Sequence, residues 1–223
     1  MSTAPDIKDE STPNEAEIYV FDFDGTITTR DTFALFLRYY AGPVRWAVKI
    51  ARLLPTFASY KIGRIDRHAV KQAVVNRFFA GELSADVESR AQQFAAEVIP
   101  GLIRPEARKR LKFLLESEEC GPESLYICSA SIGPYLRYWA ASCGVHEQNV
   151  MSTELAVVGD RIADGLTGYN VWGFNKVRRI FDQFAPQSVK IIEAYGDTRG
   201  DREMLHAAKA SYFKPFRVTP FSD

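Results

Sequence analysis

The chain has 223 residues, 46% hydrophobic and 25% charged, which excludes a wholly disordered chain, a collagen-like fibre and a disulfide-knotted secreted module. Lys plus Arg and Asp plus Glu each number 28, so the formal charge is zero, without the basic excess that a nucleic-acid partner calls for. The three cysteines, Cys120, Cys128 and Cys143, form no C-x-x-C pair. They read as reduced thiols of a cytoplasmic protein.

Residues 1–16 are polar and acidic, with no apolar run, and are expected to form a disordered arm rather than a signal peptide. Ile18–Phe23 is a β-branched and aromatic run that ends in Asp24-Gly25-Thr26, a buried strand and its loop. From 31 to 104 the spacing turns helical, over 32–40, 44–54, 67–79 and 84–98. Punctuation falls at Gly42-Pro43, Pro55, Gly63, Gly81 and Pro100-Gly101. The stretch 44–54 carries Arg45, Lys49 and Arg52, and is about half the ~20 residues of a spanning helix.

After Pro105 strand and helix alternate. A helix over 106–118 precedes the strand 125–128, which ends at Ser129, and a helix follows near 134–142. Segments 154–158 and 161–163 flank Gly159-Asp160, a two-residue hairpin signal. Then come helix 176–184, strand 190–195, loop 196–200, helix 202–210 and a short strand at 211–213. The pattern predicts an α/β fold: a doubly wound, mostly parallel, Rossmann-like sheet formed by 17–30 and 105–223, with an all-helical cap inserted over 31–104. In such sheets the loops at the carboxyl ends of the strands hold the ligand.

Those loops carry Asp22, Asp24, Ser129, Asp197 and Asp201, and Lys176 begins a helix. Four carboxylates in one crevice repel unless a cation shares the site. An all-oxygen cluster with open water positions suits Mg²⁺. The Ser129 hydroxyl, the Lys176 ammonium and the loop N–H groups of Asp24, Gly25 and Thr26 could then hold a phosphate. His68, His146 and His206 have no ligand-like spacing and read as structural or exposed, and Cys128 as a small core residue.

Asp22-Phe-Asp-Gly-Thr26 resembles the first motif of the haloacid-dehalogenase-like phosphohydrolases; Ser129, Lys176 and Gly196-Asp-Thr-Arg-Gly-Asp201 match the second, third and fourth in order. The helical insertion is similar to the type-one cap of the phosphoserine-phosphatase branch (subfamily IB). The resemblance implies a Mg²⁺-dependent phosphomonoester hydrolase in which Asp22 is the nucleophile and forms an aspartyl-phosphate, and Asp24 is the acid and base. It implies that the metal is held by Asp22, the Asp24 carbonyl and Asp197, with Asp201 acting through water. Ser129, Ala130, Gly25, Thr26 and Lys176 would bind the phosphate, with Lys176 also counted as catalytic.

The chain departs from phosphoserine phosphatases at Ala130-Ser131, where two glycines are common, and at Gly200, where Asn is common. Asp31 lies near the position of the acid that takes the substrate's amino group. The expected substrate is therefore a small soluble phosphomonoester, with no protein partner. Arg45, Lys49, Arg52 and Trp46 make a basic amphipathic stretch similar to the cap of phosphatidylglycerophosphatase C-like proteins, so a lipid phosphate at an anionic membrane surface is the alternative. From a different class, a receiver-type signalling switch also phosphorylates an Asp on a doubly wound sheet.

Overall fold

The computed structural model describes residues 15–217; most of the expected N-terminal arm, residues 1–14, lies outside them. β1 (Ala16–Phe21) pairs in parallel with both β2 (Leu125–Ile132) and β5 (Val189–Gly196). The six-stranded sheet has the order β4-β3-β2-β1-β5-β6, where β3 is Val150–Val158, β4 is Arg161–Thr167 and β6 is Ala210–Phe213. Among the described strands only the β3–β4 pair is antiparallel. Ala16, assigned to the arm by the sequence, already pairs with Val189 in β1.

Alternation along β1 explains the two layers. Ile18 and Val20 face one core, with Ile180 of α9 (Phe174–Phe184) and Met204 of α10 (Arg202–Ala207). Tyr19 and Phe21 face the other, with Leu111 and Leu114 of α6 (Pro105–Glu116) and Trp139 of α8 (Gly133–Ser142). A period of two thus puts every second side chain on each side of the sheet, as a doubly wound fold requires.

Five helices fill the insertion: α1 (Thr32–Ala41), α2 (Pro43–Ala51), α3 (Leu54–Lys61), α4 (Arg67–Phe79) and α5 (Ser84–Glu97). Asp31 and Asp66 cap α1 and α4 by accepting from the Ala34 and Ala69 N–H groups at 2.9 and 2.7 Å. The chain enters and leaves the cap side by side, with Thr29 N–H donating to Leu102 O at 2.8 Å and Arg104 N–H to Ile27 O at 2.8 Å. The cap also leans on the β3–β4 hairpin, where Gly81 N–H donates to Ile162 O at 2.8 Å. A short helix, α7 (Gly121–Ser124), precedes β2.

Four local expectations change. The single helical stretch 44–54 is two helices, because Pro55 sits at the start of a new one, where its missing N–H costs nothing. The strand expected over 125–128 runs on to Ile132, and helix 202–210 stops at Ala207 because the chain turns into β6. Trp46 and Lys49 point inward rather than outward: Trp46 packs on the core, and Lys49 Nζ donates to Phe78 O at 3.0 Å. Among the described residues no helix is long and apolar enough to cross a membrane.

Candidate active site

The site is assembled at the carboxyl ends of β1, β2 and β5. Asp22 leaves β1 with its N–H donating to Tyr195 O at 2.9 Å, so the strand pairing that builds the sheet also fixes the base of this side chain. The turn that follows needs Gly25 twice over. Its φ is +81°, and a Cβ there would collide with the Asp197 carboxylate. The Gly25 N–H donates to Thr28 Oγ1 at 3.3 Å, and the Thr26 hydroxyl donates to Asp22 Oδ2 at 3.0 Å and reaches Asp197 Oδ1 at 3.4 Å. Gly25 and Thr26, expected to bind phosphate, therefore spend these donors on shaping the loop and setting the carboxylates.

Asp24, two residues on, lies in a different environment. Its Oδ1 accepts from the Thr32 N–H at 2.6 Å and the Thr32 hydroxyl at 2.5 Å, and its Oδ2 from the Ser131 hydroxyl. Burial, followed by the negative charge of Asp31, raises its pKa against the pull of these hydrogen bonds. Asp22 is lifted by burial to about 7, despite Lys176 beside it.

Lys176 is almost wholly buried and has three partners: Asp22 Oδ1 at 2.6 Å, Asp201 Oδ1 at 2.6 Å and Cys128 O at 2.7 Å. Burial works against its charge, but the two carboxylates overcome that and hold it well above the ordinary lysine range. A cation in the first turn of α9 opposes the helix dipole, and Asp22 and Asp201 are the anions that offset it. Asp201 also accepts from the N–H groups of Asp197 and Thr198, at 3.1 and 2.9 Å, and from the Thr198 hydroxyl at 2.9 Å. Although burial alone would raise Asp201, Lys176 and these donors pull it below the usual carboxylate value.

Asp22, Asp197 and Asp201 each offer an oxygen within 4.8 Å of the others. Among the described residues these three carboxylates have two cationic partners within hydrogen-bond reach, the buried Lys176 ammonium and the half-exposed Arg217 guanidinium, which donates to Asp197 Oδ2 at 2.8 Å. The excess of negative oxygen donors fits a hard divalent cation. Among the described residues Asp201 accepts four protein hydrogen bonds against two each at Asp22 and Asp197, which suits a contact through water better than direct ligation.

Asp22, Asp24, Gly25, Ser129, Ala130, Lys176, Asp197 and Asp201 line one cavity of about 680 Å³. Thr26 lies behind it. Ser129 is fully buried, with its Oγ accepting from the Ser131 N–H at 3.1 Å. The cap closes the far wall with Phe33, Phe57, Val70, Lys71 and Val74. Lys71 Nζ sits 3.2 Å from the centre of the Phe33 ring, and burial lowers its pKa to about 7. Asp31 lines the cavity as well, while capping α1.

Several contributors escape sequence reading. Ser131 stands where a glycine is common and holds Asp24. A Cβ at Gly200 would strike the Trp172 indole, so the other departure makes room for a cavity-lining tryptophan, stacked under Arg67 at 4.7 Å. Arg217 carries no motif at all. His68 accepts from the Asn170 N–H at 3.2 Å, a structural contact.

The family comparison agrees with this geometry. A model of haloacid dehalogenase-like hydrolases matches residues 19–206. Protein CicA of Caulobacter vibrioides is 34% identical over 212 residues, covering 93% of this chain and 90% of that one. A protein of unknown function from Bordetella pertussis Tohama I superposes with a TM-score of 0.74 at 15% identity, covering 89% of both chains. A phosphoserine phosphohydrolase-like protein from Francisella tularensis subsp. tularensis SCHU S4 does so with 0.57 at 15% identity, covering 89% of this chain and 85% of that one. These two structures share the fold, an α/β sheet with a helical cap. The chain belongs to the haloacid dehalogenase-like hydrolase family.

Proposed function

We propose that the chain is a Mg²⁺-dependent phosphomonoester hydrolase working through an aspartyl-phosphate on Asp22, with residues 31–104 as the cap over its catalytic core. The observation that carries this reading is the unequal treatment of two neighbouring carboxylates. Burial raises the proton affinity of both, but Asp22 is paired with Lys176, a buried cation, whereas Asp24 has only hydroxyl and amide donors on its oxygens among the described residues, from Thr32 and Ser131. One is set up as a nucleophile, the other as an acid.

In the first half-reaction an Asp22 carboxylate oxygen attacks phosphorus in line, the phosphorus–alkoxide bond breaks, and Asp24 gives its proton to the departing oxygen. In the second, Asp24 takes a proton from the water that attacks the aspartyl-phosphate, which frees Asp22 and releases phosphate. Lys176 balances charge at the nucleophile, and Ser129 and Ala130 border the space for the phosphoryl group. Asp22, Asp197 and the Asp24 carbonyl would hold Mg²⁺, with Asp201 through water. The cation, when bound, supplies positive charge that keeps Asp22 ionised and screens it from the anionic substrate.

Activity on p-nitrophenyl phosphate is expected to vanish in EDTA and return with Mg²⁺ or Mn²⁺, and to return poorly with Ca²⁺, whose looser coordination misplaces the attacking oxygen. Full activity in EDTA would refute the metal assignment. The proposed substrate is a small soluble phosphomonoester, which the cavity accommodates. A lipid-borne monoester is a second reading of the same chemistry, favoured by the apolar side chains Phe33, Phe57, Val70 and Val74 on the cap side of the cavity.

A further inference from the structure

Charge is unevenly distributed along this chain. Residues 32–65 contain Arg38, Arg45, Lys49, Arg52, Lys61 and Arg64 but no Asp or Glu, although the chain as a whole has no net charge. The same segment folds into α1, α2 and α3, and neither α2 nor α3 buries a residue completely. Val44 is 76% exposed, Leu54 60% and Ile62 63%, with Val48 also exposed. Arg45, Arg52, Lys61 and Arg64 are exposed among them.

Helix geometry sorts α2 cleanly. Val44, Val48 and Ala51 recur at i, i+4 and i+7 on the solvent side, with Arg45 and Arg52 beside them. Trp46 and Ile50 pack on the core, and Lys49 is taken up by Phe78 O. The outer face is therefore apolar side chains ringed by cations. An ordinary solvated face mixes both signs of charge and keeps large aliphatic side chains scattered. A face made of apolar side chains and cations alone complements an interface that offers hydrocarbon beneath a layer of negative charge.

We propose that the outer face of α2 and α3 docks on an anionic lipid bilayer, with the mouth of the catalytic cavity at the rim of the docked surface. Continuity with the site supports this placement. Phe57 and Tyr60 of α3 line the cavity, while Leu54 of the same helix and Ile62 just beyond it stand on the outer face. A phosphorylated headgroup could then enter between cap and core with its chains left in the membrane. The docking deepens the lipid-borne reading of the site, and its bearing on catalysis rests on that reading.

The test uses the full chain in co-sedimentation with vesicles of phosphatidylcholine alone and of an equimolar mixture with phosphatidylglycerol. Wild type is expected to sediment with the mixed vesicles only, and to be released by high salt, which screens exposed charges. A variant carrying Arg45→Gln, Arg52→Gln and Arg64→Gln should bind at least about tenfold more weakly, given a contribution from each cation near the surface. A second, with Val44→Ser, Leu54→Ser and Ile62→Ser, should lose binding even at low salt. Both should hydrolyse p-nitrophenyl phosphate at the wild-type rate, which also verifies folding. Failure of wild type to bind the mixed vesicles, or binding by both variants as strong as wild type, overturns the proposal. So does a dimer in sedimentation equilibrium that the serine variant abolishes, since the face would then belong to a second copy of the chain. Vesicle binding without hydrolysis by wild type would instead overturn the hydrolase reading and leave the docking surface standing.

Discussion

At the residue scale, Asp22 and Asp24 are expected to fail differently when mutated. Asp22→Asn removes the nucleophile, so turnover should fall to background on every substrate. Asp24→Asn keeps the backbone carbonyl but removes the proton donor, a loss of roughly 10²–10⁴. A phenolate leaves with less help than an alkoxide, so the Asp24 variant should keep proportionally more activity on p-nitrophenyl phosphate than on an alkyl phosphate. Equal losses on the two substrates would remove Asp24 from the role of leaving-group acid. The six polar residues at the strand ends are legible in the sequence because each lies at a fixed offset from an apolar strand or opens a helix. Ser131 and Thr32 are not, since a hydroxyl that holds Asp24 looks like any loop or helix-start hydroxyl until the fold brings them together.

At the scale of elements, the strands and most helices follow from periodicity, which is local. The sheet order, with β1 central between β2 and β5, rests on long-range pairing that no window of sequence contains, although the right-handed crossover rule narrows it. The inward turn of Trp46 and Lys49 is hidden for the same reason: a helix shows its apolar stripe, but not which neighbour covers it. The segment after β6 is the clearest case. It carries Arg217 back to Asp197 with nothing in its composition to announce that contact. Arg217→Gln should free an Asp197 oxygen and remove a positive charge from the cation's surroundings. A pair with one half-exposed partner is worth about 0.2–1 kcal/mol, so Mg²⁺ affinity measured by calorimetry should tighten by up to about fivefold. Unchanged or weaker affinity would show that the arginine does not oppose the cation.

At the scale of the whole molecule, the proposed mechanism assigns the phosphoryl chemistry to the ends of the sheet strands and the surroundings of the leaving group to the cap. The two parts are tied by the paired chain crossings at 27–29 and 102–104 and by the contact of the cap with the β3–β4 hairpin. Closure over the strand ends would exclude water from Asp22 while leaving the choice of substrate to Phe33, Phe57 and Lys71. Such a division makes the central claim, a transient phosphate on Asp22, independent of which alcohol is released. The direct measurement is rapid-quench mass spectrometry of the chain with p-nitrophenyl phosphate and Mg²⁺, locating the added phosphoryl group by peptide. The account predicts phosphate on Asp22 alone, turning over within seconds in wild type, and accumulating in Asp24→Asn because the second half-reaction lacks its base. A phosphate that persists on wild-type Asp22 would mark a signalling switch instead, and hydrolysis with no phosphoryl group on Asp22 at any time would contradict the mechanism outright.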